Sequence, residues 1–235
     1  MAHLEMTSVA QQIETLFDAG SMTGLTDAQL LERFNFRRDA CGEAAFAELV
    51  TRHGPMVLGV CTQLLDDRHQ AEDAFQATFL VLARKARSIS RSDRLGNWLY
   101  GVALRTARCA RGRLARRRRH EEVSAMNQPG SHIGAEPTVP PAEEAIMARE
   151  HARLLHAEIA RLPDAFRSPV VLCYLEGLSV NEAALRLQLS DGTVRSRMAR
   201  AREKLRRALV RRGIVAPAAA RTRRVKDSAA TVAPL

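Results

Sequence analysis

At 235 residues the chain has room for one or two compact domains, each with its own core. An apolar content of 46% with only 4% aromatic, rich in alanine, leucine and arginine, argues against sheets and for small all-helical units. Thirty-six Lys and Arg (36) against 26 Asp and Glu leave a net charge of +10 and a pI near 10.6. That balance draws polyanions: nucleic acid first, an anionic membrane surface second.

The N-terminal "MAHLEMTSVAQQIE" has no basic stretch followed by an apolar run, so no signal peptide is expected. Residues 1–40 read as an extension in which "LTDAQLLERF", Leu25 to Phe34, forms an extra first helix. The longest apolar run, around "FQATFLVLA", is too short to span a bilayer, and the expected location is the cytoplasm. Cys41, Cys61, Cys109 and Cys173 form no CxxC pair, which points away from a zinc site or a disulfide framework.

Residues 41–120 form a helical domain with few breakers. Within it "AEDAFQATFLVLARKAR" predicts an amphipathic helix from Ala71 to Arg87, with Phe75, Phe79 and Leu82 inward and Asp73 and Gln76 outward. A long helix follows in "RLGNWLYGVALRTARCARGRLARRRRH", burying Trp98, Leu99, Val102 and Ala103. From Arg84 to Arg119 thirteen basic residues stand against the single acid Asp93, a stripe suited to nucleic-acid backbone contact.

Residues 121–141 change character, with four prolines, two glycines and only acidic charges. They read as a flexible linker that its own charge keeps off DNA. Residues 142–212 form a second helical domain, and 213–235 an Ala/Pro-rich tail expected to be disordered.

In the second domain Val180, Ala183, Ala184 and Leu187 recur at helical spacing. Ser179 and Glu182 form a capping-box pattern at the start of that helix. "Gln188-Leu189-Ser190" makes a turn, and Ser190 or Asp191 caps a second helix with Val194, Met198, Ala201, Leu205 and Leu209 on one stripe. Thr193, Ser196, Arg200 and Arg207 then face away, with Arg195 and Arg197 flanking. Slim residues followed by guanidinium donors suit a helix entering the DNA major groove.

The two motifs in this order, "AEDAFQATFLVLARK…NWLYGVALRTAR…RRRR" and "ARLPDAFRSPVVLCYLEGLSVNEAALRLQLSDGTVRSRMARAREKLRRAL" around a linker, resemble bacterial RNA polymerase sigma factors of the extracytoplasmic-function type. The resemblance spans about Ala44 to Arg211 and implies an all-α fold of two helical domains, the second a helix-turn-helix.

It implies that Asp73, Gln76, Phe79 and Leu80 belong to a face that docks on core RNA polymerase. Trp98, Arg105, Arg108 and Arg111 would meet the promoter's minus-ten element. Thr193, Arg195, Ser196, Arg197, Ala199 and Arg200 would meet the minus-thirty-five element.

Three features depart from the family pattern. Ala77 stands where Glu often follows the docking glutamine, Arg105 stands where Asn is common, and residues 1 to about 40 and the tail after Gly213 lie outside the core resemblance. In the helix-turn-helix itself Gln188 stands where many such turns carry Gly, which predicts a looser turn. The implied partners are core polymerase and promoter DNA, with an anti-sigma factor as a further candidate.

The alternative is a stand-alone helix-turn-helix regulator, which would usually carry a ligand pocket or phospho-acceptor site in its first domain. An enzyme would need metal-binding carboxylates or an activated nucleophile. Glu72 and Asp73 diverge on their helix and the histidines show no ligand spacing, so no catalysis, cofactor or metal is expected.

Overall fold

The computed structural model describes residue 22 and residues 24–36, 39–89, 94–126 and 143–214, all helix and connecting turns with no strand among them. The N-terminal block contains α1 (Asp27–Phe36), α2 (Ala40–Leu64), α3 (Arg68–Lys85) and α4 (Leu95–Met126). The C-terminal block contains α5 (Glu143–Arg161), α6 (Asp164–Val170), a π-helical turn (Val171–Leu175), α7 (Val180–Leu187) and α8 (Asp191–Val210).

Local chemistry starts most of these helices where the sequence says it should. Thr26 and Gln29 cap α1 reciprocally: the Gln29 N–H donates to Thr26 Oγ1 at 3.3 Å and the Thr26 N–H to Gln29 Oε1 at 2.8 Å. Asp39 accepts from the Gly42 N–H to open α2, and Asp67 from the His69 N–H to open α3. Arg84 and Lys85 lie in the last turn of α3, where cations complement the exposed carbonyls.

Along α3, Ala71, Ala74, Thr78, Phe79 and Leu82 are buried at helical spacing, and the Thr78 hydroxyl returns to the Ala74 carbonyl. In α4 the buried run Leu95, Leu99, Val102, Ala103 and Ala107 ends where the arginines take over. The same helix continues through Met126, so the first six residues expected as linker are its last turns. The rest of that linker (127–141) and the tail beyond 214 lie outside the described residues.

The two blocks were expected as separate tethered units. They instead share one apolar core, in which Ile159, Leu162, Val170, Val171, Ala201 and Leu205 join the residues of α1–α4. Each fully buried Leu, Ile or Val contributes roughly 1.5–3 kcal/mol, so apolar area is part of what holds this joint. A second, smaller core belongs to the C-terminal block alone, with Leu172, Val180, Ala184, Leu187, Val194 and Met198 at its centre.

Candidate polymerase and DNA interfaces

The helix-turn-helix is assembled by α7 and α8. Ser179 Oγ accepts from the Glu182 N–H and Glu182 returns a carboxylate oxygen to the Ser179 N–H at 2.7 Å, completing the expected capping box. Gln188 then adopts φ 54° and ψ 45°, the left-handed conformation that glycine reaches without strain. The turn is therefore not loosened by the missing glycine: Gln188 takes glycine's conformation, and Leu189 packs against the small core.

Ser190 caps α8 through the Thr193 N–H, and its hydroxyl lies 2.9 Å from that of Thr193. Val194, Met198, Ala201, Leu205 and Ala208 face inward. Arg195, Ser196, Ala199 and Arg200 are exposed together, and Thr193 and Arg197 are half-buried at the edges. All six positions expected at the upstream element thus lie on or beside one outward face.

Arg207, expected on the same side, is engaged within the protein. Glu203 Oε1 accepts from Arg207 Nε at 2.6 Å and from Arg206 Nη2 at 3.0 Å. Those two guanidiniums hold the Glu203 carboxyl well down, at about 2. The helix thus presents its arginines unequally: Arg206 and Arg207 of its second half are tied to a carboxylate.

In the N-terminal block, Asp73 and Gln76 are exposed on α3 and Leu80 is 60% exposed beside them. Phe79 does not join this face. It is only 5% exposed, packed edge-on to Phe46 with centroids 6.4 Å apart and against Phe75 at 5.0 Å. It shapes the helix from below, as its position on the apolar stripe requires, so its expected contact with a partner is corrected.

A groove of about 580 Å³ runs between α3 and α4. Asp73 and Ala77 line one wall and Trp98, Arg105, Cys109 and Arg113 the other. Asp73 of the docking candidates and Trp98 and Arg105 of the minus-ten candidates therefore share one depression. Ala77 lines it where the family often has Glu, so its small side chain leaves the groove wider and without a second carboxylate beside Asp73. Arg105, Arg108 and Arg111 are exposed along α4, and Trp98 is half-buried at its start.

Sequence reasoning missed the polar residues at the joint. His156 is buried between Tyr100 and Gln63. Its Nε2 lies 2.8 Å from Gln63 Oε1, and its Nδ1 lies 3.1 Å from the Tyr100 hydroxyl. Burial, with Arg108 nearby, depresses His156 to about 4, and burial raises the Tyr100 phenol. Arg153 reaches Asp66 at 2.8 Å and Arg167 reaches Asn97 at 2.8 Å, so three side chains of α5 and α6 bridge the blocks through Tyr100, Gln63, Asp66 and Asn97.

Comparison with known proteins decides between the two readings of these faces. The family model for Sigma-70 region 2 matches residues 49–120, and that for Sigma-70, region 4 matches residues 152–205. The RNA polymerase sigma-H factor of Pseudomonas aeruginosa is 32% identical over 194 residues, covering 80% of this chain and 96% of that protein. This chain belongs to the extracytoplasmic-function sigma factors of bacterial RNA polymerase.

The ECF RNA polymerase sigma-E factor of Haemophilus influenzae is 31% identical, over 76% of this chain and 93% of its own length. The ECF sigma factor SigE of Mycolicibacterium smegmatis is 30% identical, over 88% and 74%. As a sigma factor the protein binds core RNA polymerase and directs promoter recognition, DNA melting and initiation. The match to region 2 sets the stand-alone regulator aside. No helix among the described residues is long and apolar enough to cross a membrane.

Proposed function

We propose that this sigma factor divides its work among three surfaces. Asp73, Gln76 and Leu80 dock on core polymerase. Trp98 with Arg105, Arg108 and Arg111 holds the minus-ten strand, and the α8 face from Thr193 to Arg200 reads the minus-thirty-five element. The domain limits that go with this are 41–120 for the first pair of surfaces and 142–212 for the third.

The observation that carries the reading is the outward face of α8: Arg195, Ser196, Ala199 and Arg200 exposed on a helix whose opposite side is wholly apolar. The groove that joins Asp73 to Trp98 and Arg105 supports a second site where docking and strand capture are adjacent. Arg105 in place of the family's common Asn predicts a minus-ten preference of its own, since a guanidinium donates at positions where an amide both donates and accepts.

Nothing in these surfaces calls for catalysis by the factor itself. The solved complexes of CnrH with the cytosolic domain of CnrY and of RpoE with the anti-sigma factor NepR concern proteins 22% and 21% identical to this one, at TM-scores of 0.36 and 0.31. An anti-sigma partner is accordingly proposed here on family membership alone. Run-off transcription by core polymerase on genomic fragments tests the whole reading. Specific starts only when the factor is added support it, and unchanged starts refute it.

A further inference from the structure

Five charged side chains, from α1, α2, α7 and the residue after the π-helical turn, cluster about one buried histidine at the joint. His53 of α2 is 0% exposed. Its Nδ1 lies 2.9 Å from Glu176 Oε1 and its Nε2 3.1 Å from Asp27 Oδ2. Arg52 donates to Asp27 at 2.7 Å and to Glu48 at 3.0 Å, and Arg186 of α7 reaches Glu176 at 3.3 Å. The side chains of Asp27 and Glu176 are each 4% exposed.

The arrangement dictates a charge state. Both ring nitrogens face carboxylate oxygens, and only an imidazolium can donate at both. With His53 charged, three cations stand against three carboxylates. Burial alone would depress His53, but the hydrogen bonds and charges of Asp27 and Glu176 outweigh it and lift the ring to about 9.

Glu176 is placed for this with unusual care. It follows the π-helical turn, its N–H bonded to the Val171 carbonyl at 3.0 Å, and Gly177 at φ 77° turns the chain away immediately after it. Opposite, Gly96 at the start of α4 leaves the space the carboxylate fills. A Cβ on Gly96 would overlap the carboxylate oxygen and stand 3.0 Å from its Cδ. The seat has three walls: His53, Gly96 and, through the imidazole, Asp27 on α1, which precedes the residues matched by the region 2 family model.

Buried ion pairs add little net stability, because desolvation offsets their attraction, yet they tolerate only one registration. A joint with such a centre opens more readily than an apolar one of equal area, since Glu176 and Arg186 regain water on leaving. We propose that Glu176 is a reversible latch: seated between His53 and Gly96, with Asp27 completing the seat, it holds the region 4 block closed on region 2. Its withdrawal lets the two DNA-reading surfaces move apart. The latch stands on these contacts alone, whereas its consequence for promoter spacing rests on the surfaces proposed above.

Amide hydrogen exchange and small-angle scattering on the full-length protein test the latch. Glu176→Gln adds no heavy atom and removes the charge; Gly96→Ala evicts the carboxylate by overlap while leaving Glu176 itself in place in the sequence. Each should speed exchange across residues 50–56, 95–100 and 171–176 by roughly tenfold or more and enlarge the radius of gyration. Protection of the α7–α8 core and total helicity should stay as in the parent.

In a Glu176→Ala background, Gly96→Ala should add little further effect, because the two act on one contact. Unchanged exchange and radius in Glu176→Gln would overturn the latch. So would loss of protection spread equally through α7 and α8, which would make Glu176 a folding residue of region 4. Should Gly96→Ala not fold, Glu176→Gln decides alone. Transcription assays are kept separate: a failed latch with normal initiation leaves the sigma-factor reading intact.

Discussion

Tyr100 of α4 and His156 of α5 meet at 3.1 Å across the boundary between the two sigma regions, hydroxyl to Nδ1. The same hydroxyl donates to the His156 carbonyl at 3.2 Å, and burial with Arg108 nearby keeps the ring neutral when the chain folds. His53, at the same joint, folds charged. The two histidines therefore set opposite pH limits on one interface.

The signs follow from which state binds the proton. The unfolded chain takes up the His156 proton near 6.5 and the folded chain only at about 4, so stability falls as pH drops through that window. The folded chain keeps the His53 proton to about 9 while the unfolded chain releases it near 6.5, so stability falls as pH rises through that window. His53 is faced by Asp27, Glu176 and Arg186 from other helices and by Arg52 and Glu48 on its own. Of these Asp27 is held at about 2 by His53, Arg186 and Arg52 despite its burial, which adds further loss below pH 3.8. Thermal unfolding scanned from pH 4 to 9 should give a maximum near pH 6.5, with a decline of a few kcal/mol at most on either side. His156→Gln should flatten the acid limb alone. A flat profile in the parent would show that neither histidine is perturbed as described.

Gln188 occupies a left-handed conformation, where an L side chain costs about 1–2 kcal/mol that glycine does not. Gln188 is exposed, so its side chain offers little in return. Gln188→Gly should raise unfolding stability by about 0.5–1 kcal/mol after the extra entropy of the unfolded glycine is counted. Urea denaturation measures it, and a loss of stability would mean that the Gln188 side chain makes a contact worth more than the strain.

What the sequence made legible was local. The capping box at Ser179, the stripe from Val194 to Leu205 and the inward turn of Phe79 all follow from residues three or four apart, and each appears in place. The joint was not legible, because its partners lie far apart in the chain: His53 and Glu176 are separated by 123 positions. No periodicity marks such a pair. His53 sits in an otherwise apolar face of α2 and Gly96 in a helix start, and either residue taken alone has an ordinary explanation. The same blindness to long-range packing made the linker suggest two free domains, when apolar residues such as Ile159 and Val171 had a shared core to enter.

The proposed docking face predicts a separation of binding from folding. Asp73→Ala with Gln76→Ala changes two exposed positions, so the melting temperature should move little, within about 0.5 kcal/mol of stability. Affinity for core polymerase should fall by roughly tenfold or more, as when interface anchors are truncated. Phe79→Ala should do the reverse in emphasis, destabilising by about 3–5 kcal/mol through the cavity it leaves among Phe46 and Phe75. Pull-down titration beside calorimetry distinguishes them. Unaltered polymerase binding by the double variant would remove Asp73 and Gln76 from the interface.

The arginines of α8 divide by what already holds them. Arg200 stands beside Ser196 on the outward face and is expected at a base edge. Arg200→Ala should cost about 1–3 kcal/mol on the preferred upstream element and flatten discrimination at one or two positions. Arg206 and Arg207 both bond Glu203, so Arg207→Ala should change DNA binding little and leave the salt slope nearly unaltered. Glu203→Gln releases both guanidiniums toward phosphate. It should strengthen binding to every sequence alike and steepen the dependence of log K on log salt by about one to two units. Titrations of the three variants against the preferred duplex and its single-base changes, at several salt concentrations, separate these effects. If Arg200→Ala weakens all sequences equally, that face does not read bases. If Glu203→Gln leaves the salt slope unchanged, the carboxylate does not restrain its two arginines in solution.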